Sequence, residues 1–334
     1  MAEDSSRRLS SRGSGEFRRA CAVKLARENG LRVDAERQIV ATRGAKEGLM
    51  MALLATINPG DAVLVEDPGF VSHGPTVELC GGVPVSVPLD ADSRFAWPRT
   101  LRLRRGSPRV RALILANPQN PTGVVRTKAE LEVIATLARE YDLWVISDEI
   151  YERAVWGGRP HVCLASLPGM RARTITLMSL TKTYAMGDWR IGFVFGPEPV
   201  IEGITKFQGH AFAGAPSFVQ RAAALALTDP PPELSDLLRQ WERRIRRVAE
   251  VVDAMPGVRC RPPEGGFFVW VDLRERDRDD AEVAERLLVD HGVAMLPGSA
   301  FGRGGAGFLR LSAIRDEPTL ERALERLSAA FRTL

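Results

Sequence analysis

The chain has 334 residues, a formal net charge of +4 and 26% charged residues. That length suggests two domains, or one large domain with a smaller partner. Charge is well mixed, with no basic run interleaved with aromatics, which argues against nucleic-acid binding. No stretch approaches the roughly 18 apolar residues of a membrane span.

The N-terminus, "MAEDSSRRLSSRGSGEF", is polar and lacks the apolar segment of a secretory signal, so a cytoplasmic protein is expected. Residues 1–12 read as a flexible leader. A helix follows over Glu16 to Glu28, with Phe17, Cys21 and Leu25 spaced for one face. "RQIVATRGAKEGLMMALLATI" reads as a strand, a turn at Gly44 and a helix. "DAVLVEDPGF" is a buried strand ending in a turn, and "GGVPVSVPL" is a strand whose prolines suit an edge or an interruption. The arginine-rich "RLRRGSPRVR", Arg102 to Arg111, reads as a solvated turn at Pro108 before the next strand.

"VRALILANPQNPTG" is a strand running into a loop rich in Pro, Asn and Gly. A helix from Lys128 to Tyr141 leads to the strand "LWVISDEIY". "TITLMSL" and "IGFVFG" are two further apolar strands. Strands alternating with helices imply a mostly parallel sheet covered on both faces. After "DPPPEL" the texture changes. A long amphipathic helix carries Leu237, Leu238, Trp241, Ile245, Val248 and Val252 near one stripe. Beyond it, "GGFFVWVDL", the helical "AEVAERLLVDHG", the strand pair "VAMLPGSAF" and "GFLRLSAI", and a last helix read as a smaller α+β unit. The expected fold is therefore α/β: a large domain over 13–232, an interdomain helix over 233–255 and a small C-terminal domain over 256–334.

The cysteines (Cys21, Cys80, Cys163, Cys260) and histidines (His73, His161, His210, His291) are scattered, so no metal site or disulfide framework is assigned. Lysine is scarce: Lys24, Lys46, Lys128, Lys182 and Lys206. Lysine, unlike arginine, can lose its proton and attack a carbonyl as an amine. Lys182 stands out, in "SLTKTYAMGDWRIGF", between small hydroxyl residues and ahead of Arg190.

In open α/β sheets, ligands sit beyond the C-terminal ends of strands. The polar outliers occur there: Asn117 and Asn120 after "RALILA", Asp148 and Tyr151 after "LWVIS", Ser179 and Lys182 after "TITLM". Gly44, Ala45 and Lys46 open a helix, whose free N–H groups suit a phosphate.

In order and spacing, "NPQNPTG", "SDEIY", "SLTKTYAMGDWRIG" and "FLRLS" resemble the class I/II aminotransferases, fold-type I enzymes dependent on pyridoxal 5'-phosphate (PLP). The resemblance runs from about Gly13 to the C-terminus and implies a three-layer large domain. It implies that Lys182 forms a Schiff base with the cofactor aldehyde and then shuttles a proton, which requires a lowered pKa. Asp148 would pair with the pyridine nitrogen, keeping the ring an electron sink. Tyr151 and Asn120 would hydrogen-bond the ring's phenolic oxygen, with a cis peptide at Asn120-Pro121. Phe70 of "EDPGF" would stack on the ring. Ser179, Arg190 and the backbone N–H groups of Ala45 and Lys46 would hold the phosphate, and Arg310 the substrate carboxylate.

The implied activity is transfer of an amino group between an α-amino acid and a 2-oxo acid by a homodimer in a ping-pong cycle. Three departures keep other PLP chemistry open as alternatives: elimination, decarboxylation, cyclisation, or a sensor without catalysis. The covering arm that usually precedes the first helix is short here. Arg8 stands where a phosphate-contacting tyrosine is usual. Phe212, Ala213 and Gly214 replace hydroxyls or amides, with His210 or Ser217 as substitutes. Phe70 and Phe212 suggest an apolar or aromatic substrate.

Overall fold

The computed structural model describes residues 10–103 and 109–333. The expected leader lies mostly outside the described residues, as do Arg8 and the turn at Pro108. Residues 10–12 already belong to the fold, because the Arg12 carbonyl accepts from Ala41 N at 2.9 Å.

The first half runs α1 (Gly15–Glu28), β1 (Ile39–Thr42), α2 (Ala45–Thr56), β2 (Ala62–Asp67), α3 (His73–Leu79), β3 (Val83–Pro88), β4 (Val110–Ala116), α4 (Lys128–Glu140) and β5 (Trp144–Asp148). Then come β6 (Thr174–Ser179), α5 (Leu180–Thr183), β7 (Gly192–Phe195), α6 (Glu198–Ala211), α7 (Ser217–Thr228) and α8 (Glu233–Asp253). The remainder is β8 (Phe268–Asp272), α9 (Asp280–Val289), β9 (Leu296–Pro297), β10 (Phe308–Ser312) and α10 (Glu317–Ala330).

A seven-stranded sheet has the order β1-β7-β6-β5-β4-β2-β3. Neighbours from β6 to β3 pair in parallel, while β7 is antiparallel to both β6 and β1. Apart from the half-exposed edge strand β3, the strands are buried on both faces, which explains their unbroken apolar runs. Along β4, Ala112 and Ile114 join the core under α2 and α6, while Leu113 and Leu115 join the core under α4. The proline-bearing β3 lies at the sheet edge, as its sequence suggested.

A second sheet, antiparallel and ordered β8-β10-β9, packs with α8, α9 and α10 around its own core. Here "VAMLPGSAF" departs from expectation. Only Leu296–Pro297 is strand, followed by two 3-10 turns. Pro297 lacks the N–H needed to continue a ladder. In α8 the stripe of Trp241, Ile245, Val248 and Val252 is buried, with Leu237 and Leu238 only partly so. No helix among the described residues is long and apolar enough to cross a membrane.

Candidate active site

Four neighbouring parallel strands deliver their C-terminal ends to one cavity of about 280 Å³. Phe70 lies beyond β2, Asn120 beyond β4, Asp148 and Tyr151 at the end of β5, Ser179 and Lys182 at the end of β6. The start of α2 adds Ala45 and Lys46, the segment before β7 adds Arg190, and β10 adds Arg310. These ten residues thus line one cavity. Asn117 follows β4 too, but it braces the loop: its Oδ1 accepts from Arg126 N at 3.0 Å, and its N–H donates to Asp148 O at 2.9 Å.

Four lining side chains are cations (Lys46, Lys182, Arg190, Arg310), and one, Asp148, is a carboxylate. That excess of positive charge favours an anionic ligand. Burial pushes the Lys182 ammonium below its ordinary pKa, and the Arg310 and Arg190 charges add to the shift. The shift raises the share of neutral amine, the form that attacks carbonyls.

Tyr151 is buried between Phe267 and Phe268, edge-on to each at 5.4 Å. Burial raises its pKa, the Asp148 charge raises it further, and Arg310 opposes them. It therefore stays a phenol able to donate a hydrogen bond. Arg310 donates from Nη1 to Asn120 Oδ1 at 2.8 Å, while its Nε is buried without a partner. Burial lowers the Arg310 pKa, yet arginine remains a cation at any working pH.

The stretch after "TITLMS" starts with one helical turn, α5. Ser179 caps it, its Oγ accepting from Thr181 N at 3.1 Å. The turn sets Lys182 three residues beyond the cap. Arg190 has φ +52°, and the facing Gly44 has φ +78°. A Cβ on Gly44 would lie 2.8 Å from Arg190 Nη2. Glycine therefore lets the arginine close over the start of α2.

These features fit the PLP that the motifs imply. A helix start and an arginine suit the phosphate, a depressed lysine suits the aldehyde, a buried carboxylate suits the ring nitrogen, and Phe70 offers a ring face. Peptide bonds are cis at Asn120-Pro121, as the resemblance implied, and also at Asp67-Pro68 and Asn117-Pro118.

Phe212, expected near the pocket, does not line it. Its carbonyl accepts from Arg43 Nη2, and the Arg43 guanidinium lies 5.8 Å over its ring. His210 and Ser217 are exposed and do not line the cavity either. Sequence reasoning missed His73, which is 2% exposed, with Nε2 3.6 Å from Asp148 Oδ2 and neither ring nitrogen hydrogen-bonded. No sequence signal marked it: it lies one turn beyond Phe70, at the start of an unrecognised α3. Ile150, Phe267, Phe268 and Ile314 were missed as pocket walls.

The family model for aminotransferases of class I and II matches residues 2–327. An aspartate aminotransferase of Pyrococcus abyssi is 37% identical over 322 residues, 96% of this chain and 82% of the relative. An arginine–pyruvate transaminase of Pseudomonas aeruginosa is 38% identical, over 95% of this chain and 80% of the relative. The crystal structure of an aromatic aminotransferase from Pyrococcus horikoshii superposes with a TM-score of 0.92 at 36% identity, covering 98% of this chain and 88% of that one.

Proposed function

Since this chain belongs to the class I and II aminotransferases, PLP-dependent enzymes that move an amino group between an amino acid and a 2-oxo acid, we propose a role in that reaction for each residue of the cavity. The observation that carries the reading is the convergence of Lys182, Asp148, Asn120, Tyr151, Arg190 and Arg310 on one cavity.

When bound, PLP supplies an aldehyde for the amino group and a ring that accepts electrons. Lys182 Nζ provides the amine that holds the cofactor and takes the proton from the substrate α-carbon. Its depressed pKa suits it to both tasks. The Asp148 carboxylate holds the proton on the ring nitrogen. The Tyr151 hydroxyl and the Asn120 amide donate to the ring oxygen. Phe70 covers a ring face.

Ser179, Arg190 and the N–H groups of Ala45 and Lys46 grip the phosphate. Arg310 takes the substrate carboxylate, positioned by Asn120. The relatives named for aspartate and for arginine are almost equally similar, so identity alone does not choose the substrate side chain.

We read residues 13–232 as the large domain, 233–255 as the interdomain helix and 256–334 as the small domain. We read the working unit as a cytoplasmic homodimer. Phe218 and Leu225, one face of α7, are 71% and 59% exposed, and Trp189 beside Arg190 is 47% exposed. Such apolar surface suits a partner subunit, and light scattering tests it.

The test of the activity is visible absorbance with added PLP. Wild type develops a band that amino acids bleach and a 2-oxo acid restores. Lys182→Ala develops a different spectrum and does not cycle. A wild-type-like spectrum and turnover in Lys182→Ala would remove Lys182 from the reaction.

A further inference from the structure

The Arg310 guanidinium does not rest on the large sheet alone. Its charged face lies 4.7 Å over the Phe301 ring and 5.5 Å over the Phe268 ring. Phe301 belongs to the turn between β9 and β10, over Gly298–Phe301 and Arg303–Gly305. That turn is fastened to the segment that carries Phe70. Gly69 N donates to Phe301 O at 2.9 Å, and Gly304 N donates to Asp67 Oδ1 at 2.8 Å.

The approach is close enough to demand glycine. Gly302 has φ +121°, and a Cβ there would collide with the Asp67 carboxylate. From the other side, Asp280 holds the turn, accepting from Ser299 N at 2.8 Å and from Gly307 N at 3.2 Å.

The contacts close a ring. Phe301 supports Arg310, Arg310 donates to Asn120, and the neighbouring Gln119 donates from Nε2 to Pro68 O at 3.0 Å. Pro68 leads through Gly69 back to Phe301. Asp67 is 7% exposed, and among the described residues its carboxylate alone supplies a side-chain clamp between β2 and the turn within this ring.

We infer that Asp67 and Phe301 are positioning residues that set affinity for the substrate carboxylate by fixing the turn beneath Arg310. The inference rests on the reading that Arg310 takes that carboxylate. Neither residue lines the cavity, so both act through Arg310. Loss of the Asp67 clamp frees Gly304 N and lets the turn drift. Phe301 then leaves the guanidinium without its aromatic support. Among the described residues, Arg190 and the start of α2 make no hydrogen bond to Asp67 or to the turn.

The experiment compares Asp67→Ala, Asp67→Asn, Phe301→Leu and Arg310→Lys, each prepared both with PLP and without it. One readout is steady-state kinetics with the best amino acid from the absorbance test and with the matching primary amine, which lacks the carboxylate. The second is the calorimetric Kd of succinate and of 3-phenylpropanoate on the PLP-free protein. Asp67→Ala and Phe301→Leu should raise KM for the amino acid and the probe Kd values by about tenfold. Their kcat and their rate with the amine should stay near wild type. Asp67→Asn, which keeps the acceptor oxygen, should stay near wild type throughout.

Equal losses with amino acid and amine would show a purely structural role and overturn the inference. Unchanged KM and Kd in both Asp67→Ala and Phe301→Leu would also overturn it, provided Arg310→Lys raises them. If Arg310→Lys leaves them unchanged as well, the assignment of the carboxylate to Arg310 fails instead. Phe301→Leu keeps the test decisive if Asp67→Ala does not fold.

Discussion

His73 Nε2 stands 3.6 Å from Asp148 Oδ2, inside the protein and away from solvent. That separation exceeds a hydrogen bond, but a shift of a few tenths of an ångström makes one. Phe70, edge-on to the same imidazole at 5.4 Å, restricts its movement. The imidazole thus limits where the carboxylate can point. His73→Leu, of similar bulk and without nitrogens, should lower kcat about tenfold, or ~1.4 kcal/mol of transition-state stabilisation. Steady-state kinetics at saturating PLP measures this. An unchanged kcat would make His73 a packing residue only.

The Lys182 shift has a pH consequence. Burial, Arg310 and Arg190 all lower its pKa. Arg190→Gln removes one positive neighbour, so the lysine pKa should rise. The midpoint of the pH dependence of PLP attachment to the cofactor-free protein should therefore move to higher pH. Stopped-flow absorbance across a pH series measures it. The same shift acts on stability. A lysine depressed in the fold opposes folding fully below its folded pKa. That penalty fades as pH rises from the folded value toward the ordinary one.

The proposed phosphate seat depends on a missing side chain. Alanine at Gly44 would face a left-handed φ of +78° and place its Cβ 2.8 Å from Arg190 Nη2. Gly44→Ala should weaken PLP binding about tenfold, near 1.4 kcal/mol. An equilibrium titration followed by absorbance checks this. An unaltered Kd would show that Arg190 does not need to close over the helix start.

Glu66 and Arg126 form an ion pair with both side chains 0% exposed. The Glu66 carboxylate also accepts from Trp97 Nε1 at 2.9 Å and from Ala116 N at 3.0 Å, at the end of β4. Glu66→Gln leaves the arginine charge uncompensated, which typically costs about 3–5 kcal/mol. Urea unfolding should show a clear fall in the midpoint. Adding Arg126→Met should restore part of it, because the orphaned charge is then gone too.

The parallel strands were legible because burial on both faces writes them as apolar runs. The strand ends that line the cavity were legible because Asn120, Asp148 and Lys182 break those runs abruptly. His73 was not legible. A single histidine after "DPGFVS" has no sequence feature that separates a ligand neighbour from a core residue, and only the fold turns it toward Asp148. The helices α6 and α7 were passed over because "KFQGHAFAGAPSFVQ" looks like a variant contact segment. Phe212 was misplaced for a related reason: the sequence gives no sign that Arg43, far upstream, holds it aside. The support of Arg310 by Phe301 depends on a turn that periodicity cannot describe, since its glycines carry no pattern of their own.

The antiparallel return of β7 beside β6 has a consequence for how the enzyme matures. Because the chain doubles back, Arg190 reaches the same sheet edge as Ser179 and Lys182 without a long crossover. Every side chain proposed to hold the cofactor is therefore already synthesised once β7 has paired, while Arg310 still awaits translation. Tyr151 gains its edge-on neighbours Phe267 and Phe268, and the Phe70 segment its clamp from the turn before β10, only later. The C-terminal unit thus completes a cofactor site whose parts the chain has already made, and brings the substrate arginine with it.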